Sequence, residues 1–186
     1  MSDATTARPG DAAPAAVWLK WLLLAVAVIL FDQASKLWVL DVFTLGESRP
    51  VTEFFNLVLV YNRGAAFSFL ASAGGWQRWF FVVLAAAVSL WMGAMLRRHA
   101  GQPGHRPLCI GLNLVIGGAI GNVIDRFAYG AVVDFLDVHA FGWHWPAFNL
   151  ADSAICLGVA LLAWHELRHG GGKQGPGENA AERGQT

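Results

Sequence analysis

FNLADSAICLGVALLAWHELRH, Phe148 to His169, joins a polar start to a polar end through a long apolar middle. It reads as one apolar helix with a carboxylate, Asp152, near its start and the pattern HELRH at its end. Asp152 and His165 are 13 positions apart, roughly 20 Å of helix at about 1.5 Å per residue. The two polar ends are therefore expected near opposite faces of a membrane. HELRH matches the H-E-x-x-H pattern in which two histidines one turn apart hold zinc and the glutamate acts as base. An aspartate at the edge of an apolar span is equally a functional-site expectation.

Outward from this stretch lie three more apolar segments, at about Val17 to Leu40, Trp79 to Leu96 and Pro107 to Ile124. The first contains Asp32 and Lys36, and the other two contain no charge. The last span runs from about Asn149 to Leu167. Crossing the hydrocarbon takes roughly 20 residues of helix. The chain is 55% hydrophobic and only 14% charged, against about 25% charged in soluble domains. An α-helical integral membrane protein of four spans is expected. Residues 16–168 form one embedded domain, and residues 1–15 and 169–186, rich in Gly, Pro, Ala and polar residues, read as disordered tails.

Lysines and arginines orient the chain by the positive-inside rule. Arg8, Lys20, Arg97, Arg98, Arg106, Arg168, Lys173 and Arg183 fall on one side, and Arg49, Arg63, Arg78 and Arg126 on the other. Both termini are therefore expected in the cytoplasm, with Asp152 at the outer surface and His165 at the inner. The apolar run after the N-terminus has no A-x-A-like cleavage site, so it reads as a span and not as a cleaved signal. Net charge is zero and no basic cluster alternates with stacking aromatics, which argues against nucleic acid as a partner. Cys109 and Cys156 each sit in an apolar block and read as small hydrophobes, neither a disulfide nor a metal site.

The outer segments are more than loops. VTEFFNLVLVYNRGAAFSFL (Val51–Leu70) is rich in aromatic and β-branched residues and follows Pro50, which suggests a small β element at the interface. RFAYGAVVDFLDVHAFGWHWPAF (Arg126–Phe148) carries Trp143 and Trp145, aromatics suited to headgroup level.

Polar residues converge on the outer ends of the spans. Asp32 and Lys36, four apart, share a helix face. They read as a mutually neutralising pair or as support for a polar site. Gly117 and Gly121 form G-x-x-x-G, which lets another helix pack closely. Asn122, Asp125 and Arg126 follow within about one turn, where an Asp beside an Arg suggests a structural ion pair. Asp134 in VVDFLDV is flanked by Val132, Val133, Phe135 and Leu136, so desolvation should raise its pKa. Asp137 reads as a solvated surface group. Asn149 reads as a helix N-cap and Asp152 as an acid in the first turn. Should Asp152 and either Asp134 or Asp125 lie within a few ångströms, the pair would share a proton. One carboxylate would then activate water while the other polarises a carbonyl. Spacing alone does not choose between Asp125 and Asp134.

DQASK (Asp32–Lys36), YNRGAAFSFL (Tyr61–Leu70), GGAIGNVIDR (Gly117–Arg126), VVDF (Val132–Phe135) and FNLADSAI (Phe148–Ile155) resemble, in this order, the lipoprotein signal peptidases of bacteria, or signal peptidase II. The resemblance covers roughly Trp18 to Trp164. It implies a four-helix aspartyl endopeptidase of the inner membrane, with a periplasmic β cradle and a short extracytoplasmic helix. The implied substrates are diacylglyceryl-modified prolipoproteins cut just before the lipidated cysteine, and the implied dyad is Asp134 and Asp152. Asp32, Lys36, Asn62, Asn122, Asp125, Arg126 and Asn149 match the polar residues that surround the dyad or buttress the fold. No metal or cofactor is implied, a monomer suffices, and globomycin-type cyclic peptides are expected inhibitors. Phe67 and Phe69 are candidates to grip the substrate or shield the dyad.

Two rival readings are weaker. A zinc protease using His165, Glu166 and His169 lacks an evident third ligand, and its helix would have to run through His169 where glycines begin. A transporter relay through Asp32, Lys36 and Asp152 has no polar path inward, because SAICLGVALLAW is apolar after Ser153.

Overall fold

A computed structural model describes residues 15–64 and 74–169. Four long helices carry the apolar segments: α1 (Ala15–Val42), α2 (Trp76–His99), α3 (Arg106–Tyr129) and α4 (Leu150–His169). All four are long and apolar enough to span a membrane. The helices overrun the apolar segments that define them; α3, for example, continues past Ile124 to Tyr129 and so includes Asp125 and Arg126. The backbone ladder of a helix does not depend on side-chain hydropathy, so a helix need not stop where hydropathy falls.

α3 is the central helix. Within its most apolar window 67% of the residues are buried, against 11%, 11% and 17% in the other three. It packs on α1, α2 and α4, while large apolar side chains such as Leu23, Phe31, Leu90 and Trp91 remain exposed on the outer helices. That inversion of the soluble pattern is what a hydrocarbon solvent requires. Small residues let the backbones approach. A Cβ added at Gly117 would lie 2.8 Å from Ala25 O on α1, and one at Gly118 would strike Ala151 O on α4. Gly111 and Gly158 face each other across α3 and α4, where an added Cβ meets the opposing carbonyl at 2.9 and 2.8 Å. The G-x-x-x-G pair thus serves the contact with α1, while Gly111, Gly118 and Gly158 serve α4.

At one end of the bundle lies an antiparallel sheet of order β1-β2-β3-β4: β1 (Ser48–Thr52), β2 (Phe55–Asn62), β3 (Val132–Ala140) and β4 (Trp143–His144). Pro50 lies within β1, an edge strand, where its missing N–H removes no ladder bond from the sheet interior. The aromatic segment Val51–Leu70 supplies β2 and the end of β1, which begins upstream at Ser48 and takes in Pro50. The other two come from the segment after α3, and β3 pairs with β2 from Asn62↔Val132 to Phe55↔Val138. Val39 of α1 and Phe43, just beyond its end, pack with Leu59, Val133 and Phe135 and bind the sheet to the bundle. The four long helices are the only helices among the described residues. The short extracytoplasmic helix is not among them, and Phe67 and Phe69 lie outside them.

Candidate active site

The site is built where three helix ends meet β3. Lys36, 1% exposed, is its electrostatic centre. Its Nζ donates to Asp32 Oδ2 at 2.8 Å and to Asn122 Oδ1 at 3.0 Å, and pairs with Asp125 Oδ2 at 2.8 Å. Burying a charge costs several kcal/mol unless partners surround it, and here every partner is within hydrogen-bonding distance. Asp32 and Lys36 therefore neutralise each other and also order neighbouring polar groups, so the two readings of the pair are compatible. The ion pair suggested by Asp125 beside Arg126 forms instead with Lys36.

Asp125 is fully engaged. Its Oδ1 accepts from Gln33 Nε2 at 2.9 Å, and its Oδ2 accepts from the Val133 N–H at 3.0 Å besides facing Lys36. It pins the start of β3 to the helices. Gln33 also donates to Gly121 O at 3.2 Å. A lone glutamine in DQASK carries no signal in sequence, because its partners lie 88 and 92 positions away.

The first turn of α4 is held by side chains. Asn149 Oδ1 accepts from the Asp152 N–H at 2.9 Å, which is an N-cap bond. Asp32 Oδ1 accepts from the Ala151 N–H at 2.9 Å, so a second free donor is satisfied from another helix. The same Asn149 turns its Nδ2 to Asp134 Oδ1 at 2.7 Å. Asn122 Nδ2 donates to Asp152 Oδ1 at 2.7 Å, and Asn149 Nδ2 also reaches Asn122 Oδ1 at 3.2 Å. Two linked carboxamides thus hold Asp134, on β3, and Asp152, on α4.

Their surroundings differ. Asp134 is 1% exposed, and its pKa rises to about 7 because burial and the Asp152 carboxylate disfavour its charge, against hydrogen bonds from Asn62 and Asn149. Asp152 is half-buried and lines a cavity of about 540 Å³ with Asn62, Asn122 and Arg126. Trp145 and Phe148 supply apolar wall. Arg126 donates to Asn122 O at 3.2 Å and to Gly64 O at 3.4 Å, with its guanidinium over the Phe81 ring. Asn62 anchors its own turn by accepting from the Gly64 N–H at 3.0 Å.

Asp137 departs from expectation. It is only 7% exposed, held by Asn56 Nδ2 at 2.8 Å and His144 Nδ1 at 2.9 Å. Burial raises its pKa, but these hydrogen bonds outweigh burial and the net shift is downward. The reason is the β3–β4 hairpin, which folds His144 back over it. At the far end of α4 the helix does continue to His169, so the glycines that follow do not preclude the HELRH reading. There His165 is buried beside His105, ring centroids 5.2 Å apart, whereas Glu166 is exposed. Among the described residues no group of three His, Cys, Asp or Glu side chains is close enough to hold a metal ion.

A helical bundle with apolar outer faces, capped by a sheet and a buried polar network that leads to the cavity beside Asp152, has the architecture of an integral membrane protein with a built polar site. Residues 24–168 match the model of the signal peptidase (SPase) II family, peptidase family A8. The lipoprotein signal peptidase of Ralstonia nicotianae is 60% identical over 148 residues, covering 80% of this chain and 84% of that one. That of Janthinobacterium sp. is 56% identical over 153 residues, covering 82% and 91%. A bacterial membrane enzyme solved at 2.3 Å resolution superposes with a TM-score of 0.73 at 30% identity, covering 86% of this chain and 94% of its own. The chain belongs to the signal peptidase II family and is a multi-pass membrane protease of the aspartic type.

Proposed function

We propose that this protein removes signal peptides from diacylglyceryl-modified prolipoproteins, cutting before the lipidated cysteine with Asp134 and Asp152 as a water-activating dyad. The observation that carries the reading is the shared anchoring of these two carboxylates by Asn149 and Asn122. Asp125, the other candidate, has both oxygens committed to Lys36, Gln33 and the Val133 amide. The family relatives named above, as lipoprotein signal peptidases, support the substrate class.

Within the dyad the environments suggest the roles. Asp134, with its pKa raised to about 7, holds the proton and acts as acid. Asp152, facing the cavity, acts as base. Asp152 removes a proton from water as its oxygen bonds to the scissile carbonyl carbon, and Asp134 protonates the carbonyl oxygen. On collapse Asp152 delivers its proton to the departing cysteine nitrogen, the C–N bond breaks, and the new carboxyl group returns a proton to Asp134. The acid and base assignments describe the working pair, which titrates as a unit. Asn62, Asn122 and Asn149 orient the carboxylates, Arg126 shapes the cavity, and Asp32, Lys36 and Asp125 hold the helices in register.

A substrate carrying lipid on its cysteine is anchored at the membrane surface, so its scissile bond arrives at the depth of the sheet end of the bundle. This orientation puts the site at the periplasmic face of the inner membrane and both termini in the cytoplasm, and the lysine and arginine distribution supports it. A monomer supplies every group used, and globomycin-type cyclic peptides would compete for the cavity beside Asp152. The deciding experiment offers purified protein a diacylglyceryl-modified precursor and its unlipidated form, with a chelator present. Cleavage of the first only is expected; equal cleavage of both would refute the substrate assignment.

A further inference from the structure

A second cavity, of about 620 Å³, lies at the sheet end of the bundle and shares no described lining residue with the cavity beside Asp152. Arg63 and Arg78 both line it, and none of its described lining residues is acidic. Arg78 stacks its guanidinium 5.0 Å from the Trp79 ring centroid and reaches Phe127 O with one terminal nitrogen at 3.4 Å. Its Nε is buried and finds no acceptor among the described residues. The cavity also sits at the start of α2, a 24-residue helix whose N-cap, Gly75, offers no side-chain bond and whose first turn contains no acid. Gln77, which also lines the cavity, gives its Oε1 to the Gly75 N–H at 2.7 Å and leaves the first-turn donors of α2 to other partners.

Two guanidinium groups, one of them with its Nε unfilled, and the positive end of a helix make a surface that favours an anion. Guanidinium forks match the oxygens of a phosphate, and helix N-termini bind the same group. Trp79 and Tyr129, about half exposed, border the cavity and are side chains suited to headgroup depth. We propose that this cavity binds the phosphate headgroup of an anionic membrane phospholipid. Arg63 directly follows Asn62, which bonds Asp134, so the lipid site abuts the peptidase centre while using none of its residues.

The test uses the full chain in detergent and native mass spectrometry with phosphatidylglycerol and phosphatidylcholine of identical acyl chains. Wild type should retain one phosphatidylglycerol in preference to phosphatidylcholine. Arg63→Gln, at an exposed position, should weaken that binding about fivefold, and adding Arg78→Gln about fivefold more. Should the double variant unfold, Arg63→Gln alone decides, with its thermal unfolding measured alongside. Undiminished phosphatidylglycerol preference in Arg63→Gln would overturn the proposal. A third arm adds inorganic phosphate at millimolar concentration. Failure to displace the lipid is expected; displacement would reassign the cavity to a soluble anion and overturn the lipid assignment.

Discussion

At the scale of residues, the two proposed reacting carboxylates differ in what surrounds them. Asp134 is 1% exposed and close enough to Asp152 to feel its charge, whereas Asp152 opens to the cavity. Asp134→Asn and Asp152→Asn should each cut cleavage of a lipidated precursor by about a hundred- to ten-thousandfold. Both variants should remain folded in the membrane, which thermal unfolding in detergent would report. Asp125→Asn should instead destabilise by about 3 kcal/mol, since it removes one partner of a buried charge; a selective loss of catalysis with normal stability would reopen the dyad assignment.

The raised pKa of Asp134 also sets a pH dependence. Cleavage should fall as pH rises through about 7, where Asp134 loses the proton it donates. Stability has the same sign: the folded state holds this proton more tightly than the unfolded chain, whose carboxyl has the ordinary value of 3.8. That contribution is fully present below 3.8 and is lost as pH rises through about 7. Asp134→Asn should flatten this part of the stability profile, measured by unfolding across that range.

At the scale of elements, α3 carries contacts on three sides because glycines remove the side chains that would hold its neighbours away. Gly118→Ala would push a methyl into Ala151 O, in the turn of α4 that also carries Asp152. A loss of about 1–3 kcal/mol is expected from overpacking, with cleavage falling alongside. Gly93→Ala on α2 has nothing within 4 Å of the added atom and should leave activity unchanged. Comparing unfolding temperatures and cleavage rates of the two variants checks this. The sheet belongs to the same scale. Val132–Ala140 reads in sequence as an apolar-flanked carboxylate motif, and only pairing with Phe55–Asn62 makes it a strand. That pairing buries Asp134 beneath the sheet and turns Asp137 from a surface group into the anchor of the β3–β4 hairpin.

At the scale of the whole molecule, the two ends of α4 have separate fates. The Asp152 end enters the polar network, and the His165 end packs beside α3 among histidines. His165→Ala should therefore retain full cleavage, and a chelator should have no effect; loss in either assay would revive the metal reading. Orientation is testable on intact cells. A cysteine introduced at Gln102, between α2 and α3, in a Cys156→Ala background should escape a membrane-impermeant thiol reagent until the cytoplasmic face is opened.

Four membrane-embedded helices are legible in the amino-acid sequence, because hydropathy is a local property summed along each span. The sequence also marks the polar residues that gather at one end, because charge is costly inside an apolar segment and so stands out. Spacing alone names no partner for Asp152, because Asp125 and Asp134 are equally compatible with it. Only the folded chain shows which partners each carboxylate finds. Lys36, Gln33 and the Val133 amide take up Asp125, while Asn149 turns to Asp134. The bond from the Ala151 amide to Asp32 spans 119 positions and that from Gln33 to Gly121 spans 88. Such contacts follow from how closely the helices approach, which no single segment encodes.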